Sequence, residues 1–336
     1  MLVPTRPREL PDLRIELHDA WRRPSWQYAA AVDDTLAASR FPHVPPMDIV
    51  SAAGKPYQGF LASATLWWIG EEMCDLILAA KDGIDGDVRV DDLVLPDDGG
   101  LLFFARPLTG LIDSASGEHT LRVDAICWGR GSVGPTPVIS IASYHWLDLD
   151  TGVARSVLGT MGPFIAEAAR EAGSDHGVGV LTGKLWVPLG RSEWPLSDPI
   201  GASPPTLRQD SAIVTAIQED RRILAAFAAL VASPGVADVE DERPDRAAAR
   251  RDQRLRRSKE PADVRVVRVH RPESRPTGGH REVQWDHRWM VSGHWSHRWV
   301  GKRGHQQRRL TWVRPHSKGP ADAPLVVKET VRVLDR

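Results

Sequence analysis

Four side chains near the C-terminus are of the types a metal-independent ribonuclease uses. His294, His297 and His316 are candidates for general acid and base, and Lys318, with Arg314 nearby, for the cation that steadies a phosphorane. Their spacing fixes no geometry, so phosphate contact or strand-end capping accounts for them equally well. Zinc is not expected. His294 and His297 stand three apart, which on a strand sends them to opposite faces, and no cysteine lies near to complete a site with His287 or His305. Two-metal chemistry needs clustered carboxylates, and in this half Glu273, Glu282 and Asp286 are scattered. The paired carboxylates elsewhere, Asp91 with Asp92, Asp97 with Asp98, and Asp148 with Asp150, fall in turn-like contexts. Gly129-Arg-Gly-Ser-Val-Gly lacks the Lys-Ser/Thr of a phosphate loop, and no Gly-x-Ser-x-Gly elbow occurs. No cofactor is expected, and the chain reads more readily as a binding protein than as an enzyme.

The signal for binding is stronger. Over residues 283–300, with period two, Trp285, His287, Trp289, Trp295, His297 and Trp299 share one face of an extended strand, and Arg288 and Arg298 share the other. Gly293 sits mid-run, where a bend fits. A hairpin over 300–305 and a return strand over 307–314 bring Leu310 and Trp312 to the aromatic face. Cations neutralise phosphates and release counterions. Flat rings stack on unpaired bases, at about 1–3 kcal/mol per base. Sequence-specific RNA recognition uses splayed bases in this way, which favours RNA over duplex DNA. The nucleic-acid contacts assigned on this basis are Arg250, Arg251, Arg254, Arg256, Arg257, Arg288, Trp295, Arg298, Trp299, Lys302, Arg303, Arg308, Arg309, Trp312, Arg314 and Lys318. The Trp face is either that binding surface or the core of a small domain, since large aromatics are usually buried. Replacing Trp295, Arg298 and Arg309 together is expected to abolish RNA binding and leave the fold intact.

Charge divides the chain that carries these residues. Residues 1–240 hold 19 Lys and Arg against 32 Asp and Glu, whereas residues 241–336 hold 24 against 12, so a net charge of −1 conceals an acidic part and a basic one. Such asymmetry points to a polyanionic partner. The opposite charges also allow the basic tail to dock on the acidic part, a non-enzymatic alternative in which salt should loosen the closure. No apolar run approaches the length of a membrane span and the N-terminus lacks an apolar signal core, so a cytoplasmic location and no membrane partner are expected. Cys74 and Cys127 are expected to pack as small hydrophobes.

The elements expected to position the site are mixed. Residues 1–24, broken by Pro and Arg, are expected to be irregular, and helices are expected over 25–39, 60–80 and 208–232. Strands over 101–104, 120–128 and 138–146 form an antiparallel meander, with turns at 114–117 and 129–131. Residues 151–205 are rich in Gly and Pro and show little periodicity. The fold class is thus α+β: an acidic recognition domain over 1–235 with helices and the meander, a charged linker over 236–261 that is Arg-rich from 246, and a small basic antiparallel β module over 262–336. That module starts with a strand over 264–269 and ends with one over 324–334.

Gly293-His294-Trp295, followed by Trp299, Gly301, Gly304, the basic strand with Trp312, and Pro315-His-Ser-Lys-Gly-Pro, resembles a family encoded on mobile genetic elements that includes a type V-A anti-CRISPR. The resemblance is concentrated over residues 280–320. It implies a protein that interferes with expression of a host defence or competitor protein by lowering its messenger RNA during translation. It also implies partners: messenger or ribosomal RNA for the basic tail, and a nascent polypeptide or the ribosome for the acidic domain.

Overall fold

In the computed structural model the described residues are 3–22, 55–84, 86–114, 117–148, 184–202, 212–233, 235–270, 288–291, 293–300, 307–313, 316–318 and 325–326. The helix expected over 25–39 lies outside them. Near the N-terminus prolines start a helix rather than preventing one. Pro7 opens a 3-10 turn, Pro7–Glu9, and Pro11 stands in the first turn of α1, Leu10–Ala20. A proline fits there because the N–H it lacks has no helical partner. This corrects the irregular stretch expected over 1–24. Leu10, Leu13 and Leu17 bury one face of α1.

The helix expected over 60–80 is in fact parts of three elements: α2, Lys55–Ser63; β1, Thr65–Ile69; and α3, Glu71–Lys81. β1 buries both faces, Leu66 and Trp68 in one core cluster with α1 and α2, Trp67 and Ile69 in another with α3. A strand covered on both sides loses its polar alternation, and a short apolar run without it cannot be told from a buried helix by period. Gly70, extended at φ −62° and ψ 157°, turns the chain from β1 into α3.

The expected meander forms. β2, Gly99–Ser114, β3, Gly117–Val133, and β4, Thr136–Asp148, pair antiparallel in order. The turn after β3 is at Gly134, with φ +58°, rather than at residues 129–131. Gly129 is a strand residue whose missing side chain admits Phe60, since a Cβ there would meet that ring at 2.3 Å. β5, Lys184–Pro195, pairs with β4 inside the Gly- and Pro-rich stretch that shows little periodicity. The helix expected over 208–232 is α4, Ala212–Ala232, and residues 223–230 of it are buried on every side.

The charged stretch expected to be a linker folds as well. β6, Ala237–Glu242, and α5, Arg246–Arg256, lead into β7, Val264–Val269. β7, expected to open the basic module, is an inner strand of the main sheet. The order is β5-β4-β3-β2-β1-β7-β6, with β1 parallel to β2 and β7 and the other pairs antiparallel. Helices α1, α2 and α5 lie on one face of this sheet and α3 and α4 on the other. Cys74 and Cys127 are buried, and burial pushes the Cys127 thiol up to about 12. None of the described helices is long and apolar enough to cross a membrane.

Beyond β7 come β8, Arg288–Val291; β9, His294–Val300; β10, Gln307–Val313; β11, His316–Lys318; and β12, Leu325–Val326. β9 and β10 form the expected hairpin, while β8 pairs antiparallel with β11 and parallel with β12. The single run expected over 283–300 is therefore interrupted after Val291. One register nevertheless holds through both ladders: Trp289 pairs with Lys318, Val291 with His316, His294 with Val313 and Val300 with Gln307. The fold class is α+β, as expected.

Candidate nucleic-acid interface

The arginines of α5 divide by the side of the helix they occupy. Ala248 and Asp252 point inward and are buried. Asp252 meets Arg14 of α1 at 2.6 Å, with both side chains sealed from solvent, and Arg256, one turn along its own helix, at 3.4 Å. Arg14 also donates to the Ala64 carbonyl at 2.7 Å. Burial pulls the Arg14 guanidinium down to about 10, and Asp252 opposes that pull. Arg251 forks onto both oxygens of Asp12, at 2.7 and 2.8 Å. An arginine-dense segment thus packs without an apolar stripe because α1 presents carboxylates and one buried arginine that match it. Of the arginines assigned to nucleic acid, Arg251 and Arg256 are engaged in holding this helix.

The outward side is different. Arg246, Arg250 and Arg254 are exposed and follow one another at helical spacing, Arg257 continues the row, and Arg243 precedes it. None of these five has a carboxylate within ion-pair distance among the described residues. At about 1.5 Å per residue the row from Arg246 to Arg257 is about 16 Å long. Arg257 is the only non-glycine described with a positive φ, at 52°, in a C-terminal cap where glycine or asparagine is usual. Sequence reasoning missed Arg243 and Arg246 because it treated the segment as a linker without faces.

The C-terminal hairpin is anchored by its tryptophans. Trp295 donates its indole N–H to the Ala80 carbonyl at the end of α3, at 2.8 Å. Its ring meets Trp312 edge-on, with centroids 4.8 Å apart. Trp312 is buried in the core cluster that contains α3 and α4, and its backbone N–H donates to Ser233 Oγ at 3.2 Å. These two residues, assigned to nucleic acid from the sequence, are core contacts. Trp299, four positions beyond Trp295 on β9, is 66% exposed and pairs in register with Arg308.

The register also places the remaining candidates. Arg298 pairs with Arg309, His297 with Leu310 and Arg288 with Leu325. His294 is exposed at the start of β9, and Lys318 is exposed on β11. Lys302, Arg303 and Arg314 lie outside the described residues. The hairpin packs on the α3/α4 face of the sheet and α5 on the α1/α2 face, so the two basic groups are on opposite sides. Among the described residues, no three His, Cys, Asp or Glu side chains converge on a possible metal position.

One oriented histidine had no signal in the sequence. His145 Nδ1 lies 2.6 Å from Asp124 Oδ2, which also accepts the Trp146 N–H at 3.0 Å, while Arg122 donates to Asp124 Oδ1 at 3.2 Å. Burial pushes the Asp124 carboxyl up, but these partners outweigh it and hold the group below the usual range. The pair sits between shifts of register at Phe103/Leu108 and at Ser143/Tyr144.

No known protein family's sequence profile matches the chain, and no curated protein matches it. Among solved structures, AcrVA2, a type V-A anti-CRISPR protein, matches over 92% of this chain and 96% of its own, at 13% identity and a TM-score of 0.39.

Proposed function

We propose that this chain is an RNA-binding protein of a mobile genetic element that interferes with expression of a host defence or competitor protein. The observation that carries the binding is the outward arginine row of α5, which has no carboxylate partner among the described residues. Neighbouring cations on a helix repel one another by a few tenths of a kcal/mol per pair. A polyanion relieves that repulsion and gains the entropy of released counterions. Trp299, exposed and in register with Arg308, adds a ring on which a base can stack. The mobile-element role and its action during translation rest on the sequence resemblance over residues 280–320.

A mobility shift with single-stranded RNA, single-stranded DNA and duplex DNA, at two salt concentrations, tests the binding. The expected result is RNA binding that weakens with salt by roughly 0.7 of a log unit per phosphate contact for each tenfold rise in salt. Absence of binding to any nucleic acid overturns the reading. Recovery of shortened RNA would replace a binding protein with a ribonuclease.

A second reading is favoured for the hairpin alone. The Trp295 and Trp312 contacts dock the basic tail on the acidic part. That dock is aromatic and hydrogen-bonded rather than ionic, so salt should leave it closed.

A further inference from the structure

Residues 243–259 contain seven arginines and one lysine against two aspartates. One of those aspartates, Asp252, is buried beneath the helix with Arg14 and Arg256. The outward face is therefore almost purely cationic, and it is held on a rigid frame by the ion pairs to α1. Among the described residues it also lacks a stacking platform. The large apolar side chains exposed among the described residues are Val94, Val133, Val239 and Trp299. Trp299 belongs to the hairpin on the opposite side of the sheet, and among the described residues no exposed large aromatic ring accompanies the arginines.

A straight row of guanidinium groups without rings reads the placement of phosphates, which differs between A-form RNA and B-form DNA, and not the bases. Single-stranded RNA is gripped by stacking its bases, whereas paired RNA hides its bases and is recognised by backbone and shape. Resting on the RNA-binding reading above, we infer that the α5 face binds the phosphate backbone of double-stranded RNA. The hairpin tip at Trp299 is then a separate site for unpaired bases. One folded transcript with stems and loops can meet both sides of the protein.

The test uses the full chain and fluorescence anisotropy. The probes are an RNA duplex of about 20 base pairs, longer than the footprint of common duplex-RNA modules, the same duplex in DNA, and an unstructured single strand. The variant is R250Q/R254Q/R257Q, whose exposed positions leave the α1 contacts in place, with its melting temperature checked against the parent. The triple variant is expected to lose duplex RNA affinity by on the order of tenfold to a hundredfold. It should lower the salt slope of duplex binding by about three and weaken single-strand binding severalfold less than duplex binding. Trp299→Ala is expected to weaken single-strand binding by roughly tenfold, leave the salt slope unchanged and leave duplex binding within about twofold.

Duplex RNA binding that survives the triple substitution overturns the inference, and so does duplex DNA bound as tightly as duplex RNA. If the parent binds the single strand in a Trp299-dependent way but ignores the duplex, only this inference falls. If it binds neither RNA, the broader reading falls as well.

Discussion

An arginine-rich helix, α5, and a tryptophan-rich hairpin, β9–β10, lie on opposite sides of one sheet, and they divide their residues in contrasting ways. In α5 the charged residues do the packing: Arg14, Asp252, Arg251 and Asp12 fix the helix, and the remaining arginines face outward. In the hairpin the aromatic residues do the packing: Trp295 and Trp312 enter the core, and Trp299 is left in solvent. Residue type alone does not separate anchor from contact. Position on the element does, because a helix has an inner and an outer stripe and a hairpin has a docked end and a tip. Replacing Trp295 together with Arg298 and Arg309 would therefore disturb the fold as well as any binding, contrary to the expectation that the fold stays intact. Trp299 is the cleaner probe.

The contrast can be broken most forcefully at its ionic half. Asp252→Ala leaves the Arg14 guanidinium buried and uncompensated, and is expected to lower stability by about 3–5 kcal/mol in urea unfolding. Exchanging both residues for apolar ones of similar size should cost much less. If Asp252→Ala costs under about 1 kcal/mol, α5 is not held by this pair. The aromatic half comes next. Trp312→Ala is expected to cost about 3–5 kcal/mol through the cavity it leaves beside α4. Unlike Asp252→Ala, it should spare binding of duplex RNA.

A third variant sharpens the comparison through pH. Asp220 of α4 is buried, and burial pushes its carboxyl up to about 7; the Ser143 hydrogen bond pulls it down and the Glu219 charge adds to the rise. A raised carboxyl binds protons in the folded state that the unfolded state has already lost. Stability therefore falls as pH climbs from the unfolded value near 3.8 to about 7. Asp220→Asn should remove that slope and raise stability at pH 8 by on the order of 2–4 kcal/mol. A Tm that keeps the parent's pH dependence in the Asn variant would show that Asp220 is not the group responsible. The smallest effect is expected at the end of α5. Arg257→Gly relieves a left-handed backbone at a cap that favours glycine, raising stability by up to about 1 kcal/mol. It also removes one cation, so duplex RNA binding should weaken while the Tm rises.

The sequence made some of this legible. The meander strands, α4 and the β9–β10 register were read from alternation, apolar period and the glycines between them. β1 was missed because a strand buried on both faces has no period of its own. α1 was missed because prolines in a first turn look like breakers until the turn is seen. α5 was missed because its packing partners, Asp12 and Arg14, stand more than 230 positions away in the chain. The Asp124–His145 pair was invisible for the same reason, its members being brought together by strand pairing.

Composition by itself determined that this chain has an acidic part and a basic one and that arginine and histidine gather in the second, which is the ground on which a polyanionic partner is proposed. Those properties are sums over residues and do not depend on the path of the chain. Only the tertiary structure decided which of the cations and rings are available. Burial and pairing are contacts between distant segments: α1 ties Arg251 to Asp12, α3 and α4 bury Trp312 and half-bury Trp295, and the sheet between them puts the outward arginines and Trp299 on opposite sides.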